Sequence, residues 1–190
     1  MKDENVDASE MMVANERINT GLLNNHIFFL NGIIGGYNIE EAIKWILYEN
    51  TIHEEKELTM YINSDGGDLT DALALIDIMK SSHYKVKTVG IGVIASAAFL
   101  IFACGEKGKR VISKNTSIMF HQFTCGVQGK QHDLEAHYKE MELTKERVLN
   151  ILKESTGLGT KMIKEKLLTP TDIWLNAEEL VKYGVADIIS

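Results

Sequence analysis

The chain has 190 residues, 45% of them hydrophobic, which suits a single domain with a sizeable core. Its formal net charge of −7 opposes the basic surface that phosphate-backbone binding needs, so nucleic acid is not an expected partner. The chain starts without a secretory signal, and Cys104 and Cys125 lie among small or apolar residues typical of a core or strand rather than of a disulfide framework. We therefore expect a cytoplasmic protein.

The first half of the chain alternates predicted strands and helices. Residues 1 to about 20 show no clean period, so we expect a mobile N-terminal segment there and one folded domain over residues 21–190. HIFFLNG predicts a strand, and Asn38 is placed to cap a helix with one apolar face. A charged turn over residues 53–57, the strand LTMYIN, the glycine turn SDGGD and a helix from Leu69 to about Ser81 follow.

The apolar stretch from Val89 to Gly105 is at the lower length limit for a membrane-spanning helix, and two glycines and a serine interrupt it. A buried strand, a tight turn and a buried helix from about Ser96 explain it better, so no membrane contact is expected. Two short strands are predicted over residues 110–113 and 117–121. Alternating strands and helices indicate an α/β fold.

A long helix is predicted from about His132 to Ser155, with apolar positions at a period near 3.6. It either projects and finds its apolar partner on another subunit, or lies on the chain's own core, and the periodicity leaves both readings open. Gly157 ends it, a shorter helix follows, and Pro170 breaks the chain. NAEELVKYG and ADIIS predict the last helix and strand.

Ser96 is a candidate nucleophile because GIGVIASAAFL predicts a strand, a tight turn and an apolar helix that starts at this serine. Helix-start amides stabilise the oxyanion that forms when a hydroxyl attacks a carbonyl. A serine at this position can equally be a plain helix cap, and the motif is not the G-x-S-x-G elbow of α/β-hydrolases.

His121 is the candidate base, since it ends a strand that is predicted to be buried. It can also be a hydrogen-bonded core histidine. The other histidines fit neither a base nor a metal ligand: His26, His53 and His83 lie at element edges or turns and are expected to be solvated. His132 and His137 do not share a helix face, so no metal site is expected.

Asp172 is the candidate orienting acid, because it follows the chain break at Pro170 and precedes the apolar Ile173-Trp174-Leu175. Those apolar residues are expected to draw its backbone into the core, and an N-cap is the alternative role. A second glycine turn, Ser64–Gly67, ends a strand before a helix. Its backbone amides are candidates for contacting a peptide or an oxyanion, although a plain turn needs the same glycines.

Taken together, YINSDGG, GIGVIASAAFL, MFHQF and DIWLNAEELVKYGVAD resemble the proteolytic subunit of the Clp protease over about residues 17–190. The resemblance implies a serine endopeptidase, without a cofactor, in which Ser96, His121 and Asp172 form the triad. It further implies that Gly67 and Ala97 supply the oxyanion amides. The implied fold is a crotonase-like β/α spiral.

The same resemblance implies homo-oligomeric assembly. In that family subunits form heptameric rings, two of which stack through the long helix into a tetradecamer, and an AAA+ unfoldase delivers folded substrates. A silent ring subunit and a crotonase-type acyl-CoA enzyme are the alternatives, but neither gives a reason for an intact Ser-His-Asp set.

The sequence departs from the family pattern at several positions. Asp65 replaces the proline of the S-P-G-G turn, and Ala97 replaces a methionine. Thr171 and Ile173 replace arginines thought to couple ring stacking to activity. Three positions that commonly carry Tyr or Phe in the family's unfoldase-docking pocket are here Thr59, Ser81 and Val111.

Overall fold

The computed structural model describes residues 8–52 and 56–190, with side chains described from residue 11 onward. Within these residues the chain forms seven helices and seven strands. In chain order they are α1 (Ala8–Asn24), β1 (Ile27–Asn31), α2 (Tyr37–Glu49), β2 (Leu58–Ser64), α3 (Leu69–Ser81), β3 (Val86–Ala95), α4 (Ala97–Ala103), β4 (Val111–Ile112), β5 (Ser117–Phe120), α5 (Gln131–Thr156), α6 (Thr160–Lys166), β6 (Ile173–Leu175), α7 (Ala177–Lys182) and β7 (Ile188–Ile189).

The seven strands form one mixed sheet. Strands β1, β2, β3, β4 and β7 are parallel neighbours in that order. Strand β5 pairs parallel with the end of β3, and β6 pairs antiparallel with β5. Parallel neighbours need crossover connections, which the helices provide. The predicted α/β fold is confirmed.

The pairing of β3 changes along its length. Its first half keeps a constant register with β2, from Leu58 opposite Val86 to Ile62 opposite Gly90. The register then shifts, so that Ser64 lies opposite Ile94. Over the same stretch β3 changes its other neighbour, from β4 to β5.

The apolar stretch from Val89 to Gly105 forms the second half of β3, a tight turn and α4. All seven residues of α4 are buried, and Phe99 stacks on Phe120 of β5 with 4.5 Å between ring centroids. The predicted strand, turn and buried helix are confirmed. In residues 8–52 and 56–190, no helix is long and apolar enough to cross a membrane.

The N-terminal segment contains a helix that the sequence did not indicate. We expected a mobile segment up to about residue 20, and the structure has α1 there, from Ala8 to Asn24. Most of its large apolar side chains are exposed, namely Met11, Met12, Val13, Ile18 and Leu23, and Leu22 is half-buried. Because these side chains are few and are separated by polar residues, the sequence alone did not indicate the helix. Residues 1–7 lie outside the described part, and the division into segment and domain stays a prediction.

The start of α2 also differs. Gly36, not Asn38, occupies the N-cap position, and no side chain caps this helix. Asn38 lies inside the first turn and donates to the carbonyls of Asn31 and Ile33 at 3.1 Å each. The predicted asparagine cap is therefore wrong, since its amide bonds the preceding loop. Of the predicted charged turn at 53–57, residues 53–55, including His53, lie outside the described residues.

The environments of Cys125 and His26 differ from those expected from the sequence. Cys125, expected in a core or strand, is exposed in the loop after β5, while Cys104 is half-buried; both thiols are free. His26, expected to be solvated, is half-buried, and its Nδ1 lies 3.0 Å from the buried carboxylate of Glu49. Its partner lies in the next helix, which a local sequence pattern cannot indicate.

Candidate active site

Ser96 occupies the turn between β3 and α4. Its backbone has φ 53° and ψ −121°, and a positive φ is rare for a residue with a side chain. Its amide donates to the carbonyl of Met119 in β5 at 3.1 Å. Ser96 stands at the N-cap position of α4, but its side chain makes no capping hydrogen bond. The alternative of a plain helix cap is therefore excluded, and the hydroxyl is available for another partner.

His121 is that partner. Its Nε2 lies 2.7 Å from Ser96 Oγ, which is a short hydrogen-bond distance. The contact follows from strand pairing: β3 and β5 are parallel with Ala95 opposite Met119, so both chains leave the sheet at the same edge. The histidine that ends one strand thereby meets the serine that ends the other.

Asp172 lies on the far side of the imidazole. Strands β5 and β6 are antiparallel with Phe120 opposite Ile173, and this register puts residue 172 beside residue 121. Asp172 Oδ1 is 3.7 Å from His121 Nδ1, which is an ion-pair distance and longer than a hydrogen bond. The Asp172 side chain is 60% exposed. Of the apolar residues expected to draw this strand into the core, Leu175 is buried, Ile173 is half-buried and Trp174 is 64% exposed, and the carboxylate itself stays exposed.

The glycine turn after β2 packs directly against the Ser96 turn. A Cβ on Gly66 would lie 2.7 Å from Ser96 Cβ and 2.8 Å from the Ala95 carbonyl, so no other residue fits there. Ser64 fixes this turn, because its buried hydroxyl accepts a hydrogen bond from the Gly66 amide at 3.0 Å. The two turns therefore hold a fixed mutual position.

Gly67 pairs with Ile34 in an isolated parallel bridge. Ile34 donates to the Gly66 carbonyl at 2.9 Å and accepts from the Asp68 amide at 2.7 Å. In such a bridge the residue between the two bonded ones turns its own N–H to the opposite side. Within the described residues, neither Gly67 N–H nor Ala97 N–H has an acceptor among the backbone hydrogen bonds, so both amides remain available.

A cleft of about 440 Å³ opens at these residues. Its walls come from the start of α3, the Ser96 turn, the loop after β5 and the middle of α5. Beside Ser96 and His121 the lining includes Leu73, Leu100, Phe120 and Val148. These apolar residues are not recognisable as part of a site from the sequence, because they lie in four different elements and match the pattern of ordinary core residues. The cleft can hold an apolar side chain next to the Ser96 hydroxyl.

The α5 wall of the cleft also carries charge. Arg147 donates to Glu140 at 2.6 Å and to the Thr144 hydroxyl at 3.2 Å. The hydrogen bond from the Arg147 guanidinium holds the pKa of the Glu140 carboxyl below its usual value. Arg147 and Glu140 therefore face the cleft as an ion pair at neutral pH.

The described residues contain no group of three or more His, Cys, Asp or Glu side chains arranged to hold a metal ion. Asp65 is exposed at the tip of the glycine turn, next to the buried Gly66.

The model of the protein family described as Clp protease matches residues 9–190 of this chain. The matched range includes every residue of the site described above.

Proposed function

This chain belongs to the Clp protease family, and from that premise we propose that it is a serine endopeptidase acting through Ser96, His121 and Asp172. The family implies a peptidase, and the assignment of roles to individual residues is our inference. One observation carries it: the 2.7 Å contact between His121 Nε2 and a Ser96 hydroxyl held on a backbone turn of positive φ. A nucleophile and base within hydrogen-bond reach, with the base oriented by a third group, define such a site by geometry.

In the acylation step, Ser96 Oγ attacks the carbonyl carbon of the scissile peptide bond while His121 Nε2 takes the hydroxyl proton. The carbonyl oxygen becomes an oxyanion, and we assign its stabilisation to the amides of Gly67 and Ala97. The intermediate collapses when the C–N bond breaks and His121 gives its proton to the leaving amine. The acyl group remains as an ester on Ser96.

In the deacylation step, water attacks the ester carbonyl and His121 takes a proton from it. The C–O bond to Ser96 breaks, the proton returns to Ser96 Oγ, and the acid product leaves. Asp172 holds the imidazole with Nδ1 protonated, so that Nε2 is free to accept, and it stabilises the imidazolium that forms. Because this carboxylate is 60% exposed, it has room to close the 3.7 Å separation when His121 becomes charged.

Reaction with a fluorophosphonate probe and hydrolysis of a short fluorogenic peptide test the proposal. Ser96→Ala should abolish labelling and lower the rate by several orders of magnitude, because the nucleophile is gone. It should leave folding intact, since this hydroxyl caps nothing. Ser113→Ala is the matched control, since Ser113 is a half-buried serine whose hydroxyl hydrogen-bonds only to that of Ser190, and it should retain wild-type labelling. Labelling of the Ser96→Ala protein would refute the assignment, and an unreactive wild type would favour a silent subunit.

We further propose that the chain assembles into homo-oligomeric heptameric rings, stacked as a tetradecamer, and receives folded substrates from an AAA+ unfoldase. Helix α5 supports the assembly. Its buried residues, Val148, Ile151, Leu152 and Ser155, all lie in its second half, whereas Leu134 and Tyr138 in the first half are 44% and 62% exposed. Apolar side chains left on a projecting helix are suited to a partner surface.

A further inference from the structure

Strand β3 carries a bulge just before the Ser96 turn. Between the pairs Ile62–Gly90 and Ser64–Ile94, β2 advances from residue 62 to 64 while β3 advances from 90 to 94. The extra residues on β3 lie around Gly92, which has φ 61°. A bulge bends its strand and re-aims the residues that follow it.

The bulge directs β3 toward His121. Before it, Val89 and Gly90 pair with β4, and after it, Val93 to Ala95 pair with β5. Ser96 follows at once, and its amide continues the pairing by donating to Met119 of β5. Since His121 directly follows β5, the change of partner at the bulge is what brings the serine and the histidine together.

The side chain of Asn63 fills this bulge. Its Oδ1 accepts a hydrogen bond from the Val93 amide at 3.0 Å, in place of the backbone partner that the bulge has displaced. A Cβ on Gly92 would lie only 2.3 Å from the same oxygen, so the glycine leaves the space that the asparagine occupies. Because a backbone N–H can only donate, the orientation of the amide is fixed, with Oδ1 toward β3.

The other end of the amide is held from the opposite side. Asn63 Nδ2 donates to Asn31 Oδ1 at 2.7 Å. Asn31 ends β1 and lies opposite Asn63 in the parallel register. Side-chain hydrogen bonds thus run from β1 through β2 to the bulge of β3, and they fix the exit of β3 against the two strands beside it.

We propose that Asn63 is a positioning residue for the Ser96 nucleophile: by bonding the Val93 amide it sets the bulge of β3, and the bulge sets the distance between Ser96 and His121. This inference rests on the proposed function, in which Ser96 attacks the peptide. The side-chain hydrogen bonds of Asn63 go to Asn31 and the Val93 amide and not to Ser96 or His121, so Asn63 acts through the strand.

Asn63→Ala and Asn63→Asp, assayed on the full chain with a short fluorogenic peptide, test the proposal. A nucleophile displaced by about 1 Å loses on the order of a hundredfold in rate, so Asn63→Ala should lower kcat by about that factor while KM changes only a few-fold. Fluorophosphonate labelling of Ser96 should slow in parallel. Asn63→Asp keeps an acceptor oxygen for the Val93 amide and should restore kcat to within a few-fold of wild type.

Asn50→Ala is the matched control. The Asn50 side chain makes the same kind of contact at the opposite end of the sheet, accepting from the His83 amide at 3.2 Å and from the Ser82 hydroxyl at 2.9 Å. Its loss should lower thermal stability in the same way yet leave kcat and labelling unchanged. An equal loss of kcat in both alanine variants would overturn the proposal, as would wild-type kcat in Asn63→Ala or an Asn63→Asp protein as slow as the alanine variant.

A failure of the proposed function is distinguishable from a failure of the Asn63 proposal, because the wild-type chain would then not label at Ser96 at all.

Asn31→Ala replaces Asn63→Ala as the test if the Asn63→Ala protein does not fold. It removes only the acceptor of Asn63 Nδ2 and leaves the Val93 contact in place. It should lower kcat by a smaller factor than a hundredfold, with KM unchanged, and a wild-type kcat there would contradict the proposal.

Discussion

Ser96 and His26 are the two non-glycine residues of the described chain with positive φ. A strained backbone persists only where its surroundings determine it. At Ser96 those surroundings are the Met119 carbonyl, which accepts from its amide, and Gly66, which packs against its Cβ. These two contacts therefore hold the Ser96 backbone in its strained conformation and keep its hydroxyl at the edge of the sheet, where His121 can reach it.

Asp172→Asn should lower kcat/KM by about 10²–10⁴-fold, because an amide cannot stabilise the imidazolium and favours the wrong tautomer. His121→Ala should lose more, since it removes the base itself. Peptide hydrolysis across pH 5–9 measures both. Asp77→Asn changes an exposed carboxylate on α3 and is the control, expected at the wild-type rate. A near-normal rate for Asp172→Asn would point to a different orienting acid.

Glu49 is a buried acid outside the active site, 2% exposed, whose Oε2 lies 2.7 Å from Lys56 Nζ. Burial alone would raise its pKa, but Lys56 and His26 outweigh that effect, so the pKa lies below its ordinary value. A group with a depressed folded-state pKa stabilises the fold above its unfolded-state pKa and loses that contribution as pH falls through the folded-state value.

Glu49→Gln should therefore destabilise the protein by about 3–5 kcal/mol at pH 7, because the Lys56 charge stays buried without its partner. The difference from wild type should shrink as pH falls below about 4.3, the ordinary pKa of a glutamate. Urea denaturation at several pH values measures this. Glu154→Gln breaks the exposed pair with Lys80 and should cost about 1 kcal/mol or less. Equal effects of the two variants would contradict the buried-pair argument.

The sequence allowed the Ser96, His121 and Asp172 candidates to be named because their types and local settings suit a triad. It could not indicate the supporting contacts. The Asn63–Val93 and His26–Glu49 contacts join residues 30 and 23 positions apart, and no local pattern encodes such a pairing. Gly92 in GIGVIAS was the one local sign of the bulge, since an isolated glycine in a strand often marks one.

Among the elements, those with a clear hydrophobic period were predicted well. The helix from Leu69 to Ser81 has the predicted bounds, and α5 differs from its prediction by one residue at each end. Helix α1 was missed because few apolar residues mark its face, although Met11, Ile18 and Leu22 lie at helical spacing. The end of β3 at Ala95 was not located from the sequence, since the bulge interrupts the alternation that identifies a strand.

Helix α5 makes the assembly testable. Leu134→Glu with Tyr138→Glu puts two charges on its exposed apolar side chains, and we expect the complex to sediment as smaller species, because charges desolvated in an interface are costly. Each subunit should remain folded, since no residue of this half of α5 is buried. Sedimentation velocity at micromolar concentration measures the change.

The matched control for that variant is Glu135→Gln with Lys139→Gln. These two polar residues are exposed and lie in the same turns of α5 as Leu134 and Tyr138. It should sediment like wild type. Wild-type protein that sediments as a 21.3 kDa monomer would refute the ring. A single heptamer would agree with the proposed ring but not with ring stacking. It would locate the cause at Thr171 and Ile173, which stand where the family pattern has arginines.

At the scale of the whole molecule, a row of apolar side chains crosses the sheet away from the proposed catalytic residues. The row consists of direct strand partners: Phe29, Tyr61, Val89, Val111 and Ile188. Phe29 and Ile188 at its ends are 47% and 48% exposed. Val89 in the middle of the row is buried, so the most exposed apolar side chains of the row lie at its two ends.

We expect this chain to bind a standard Clp unfoldase weakly. In the family an apolar pocket lined by aromatic side chains accepts a hydrophobic loop of the ATPase, and this chain has Thr59, Ser81 and Val111 at positions that commonly carry Tyr or Phe. Each aromatic buries about 150–250 Å² and can dominate such an interface, so losing three should weaken docking on the order of a hundredfold or more.

We therefore expect this subunit to cleave short peptides unaided but to degrade a tagged folded protein poorly with a standard Clp ATPase. The triple variant Thr59→Tyr, Ser81→Phe and Val111→Phe should raise ATP-dependent degradation while leaving peptide hydrolysis unchanged, because none of these positions lines the catalytic cleft. Leucine at the same three positions is the control, which adds apolar area without aromatic rings and should restore less. Efficient degradation by the wild type, at micromolar or tighter affinity, would refute this prediction and show that neighbouring residues such as Tyr61 and Leu47 form a sufficient smaller pocket.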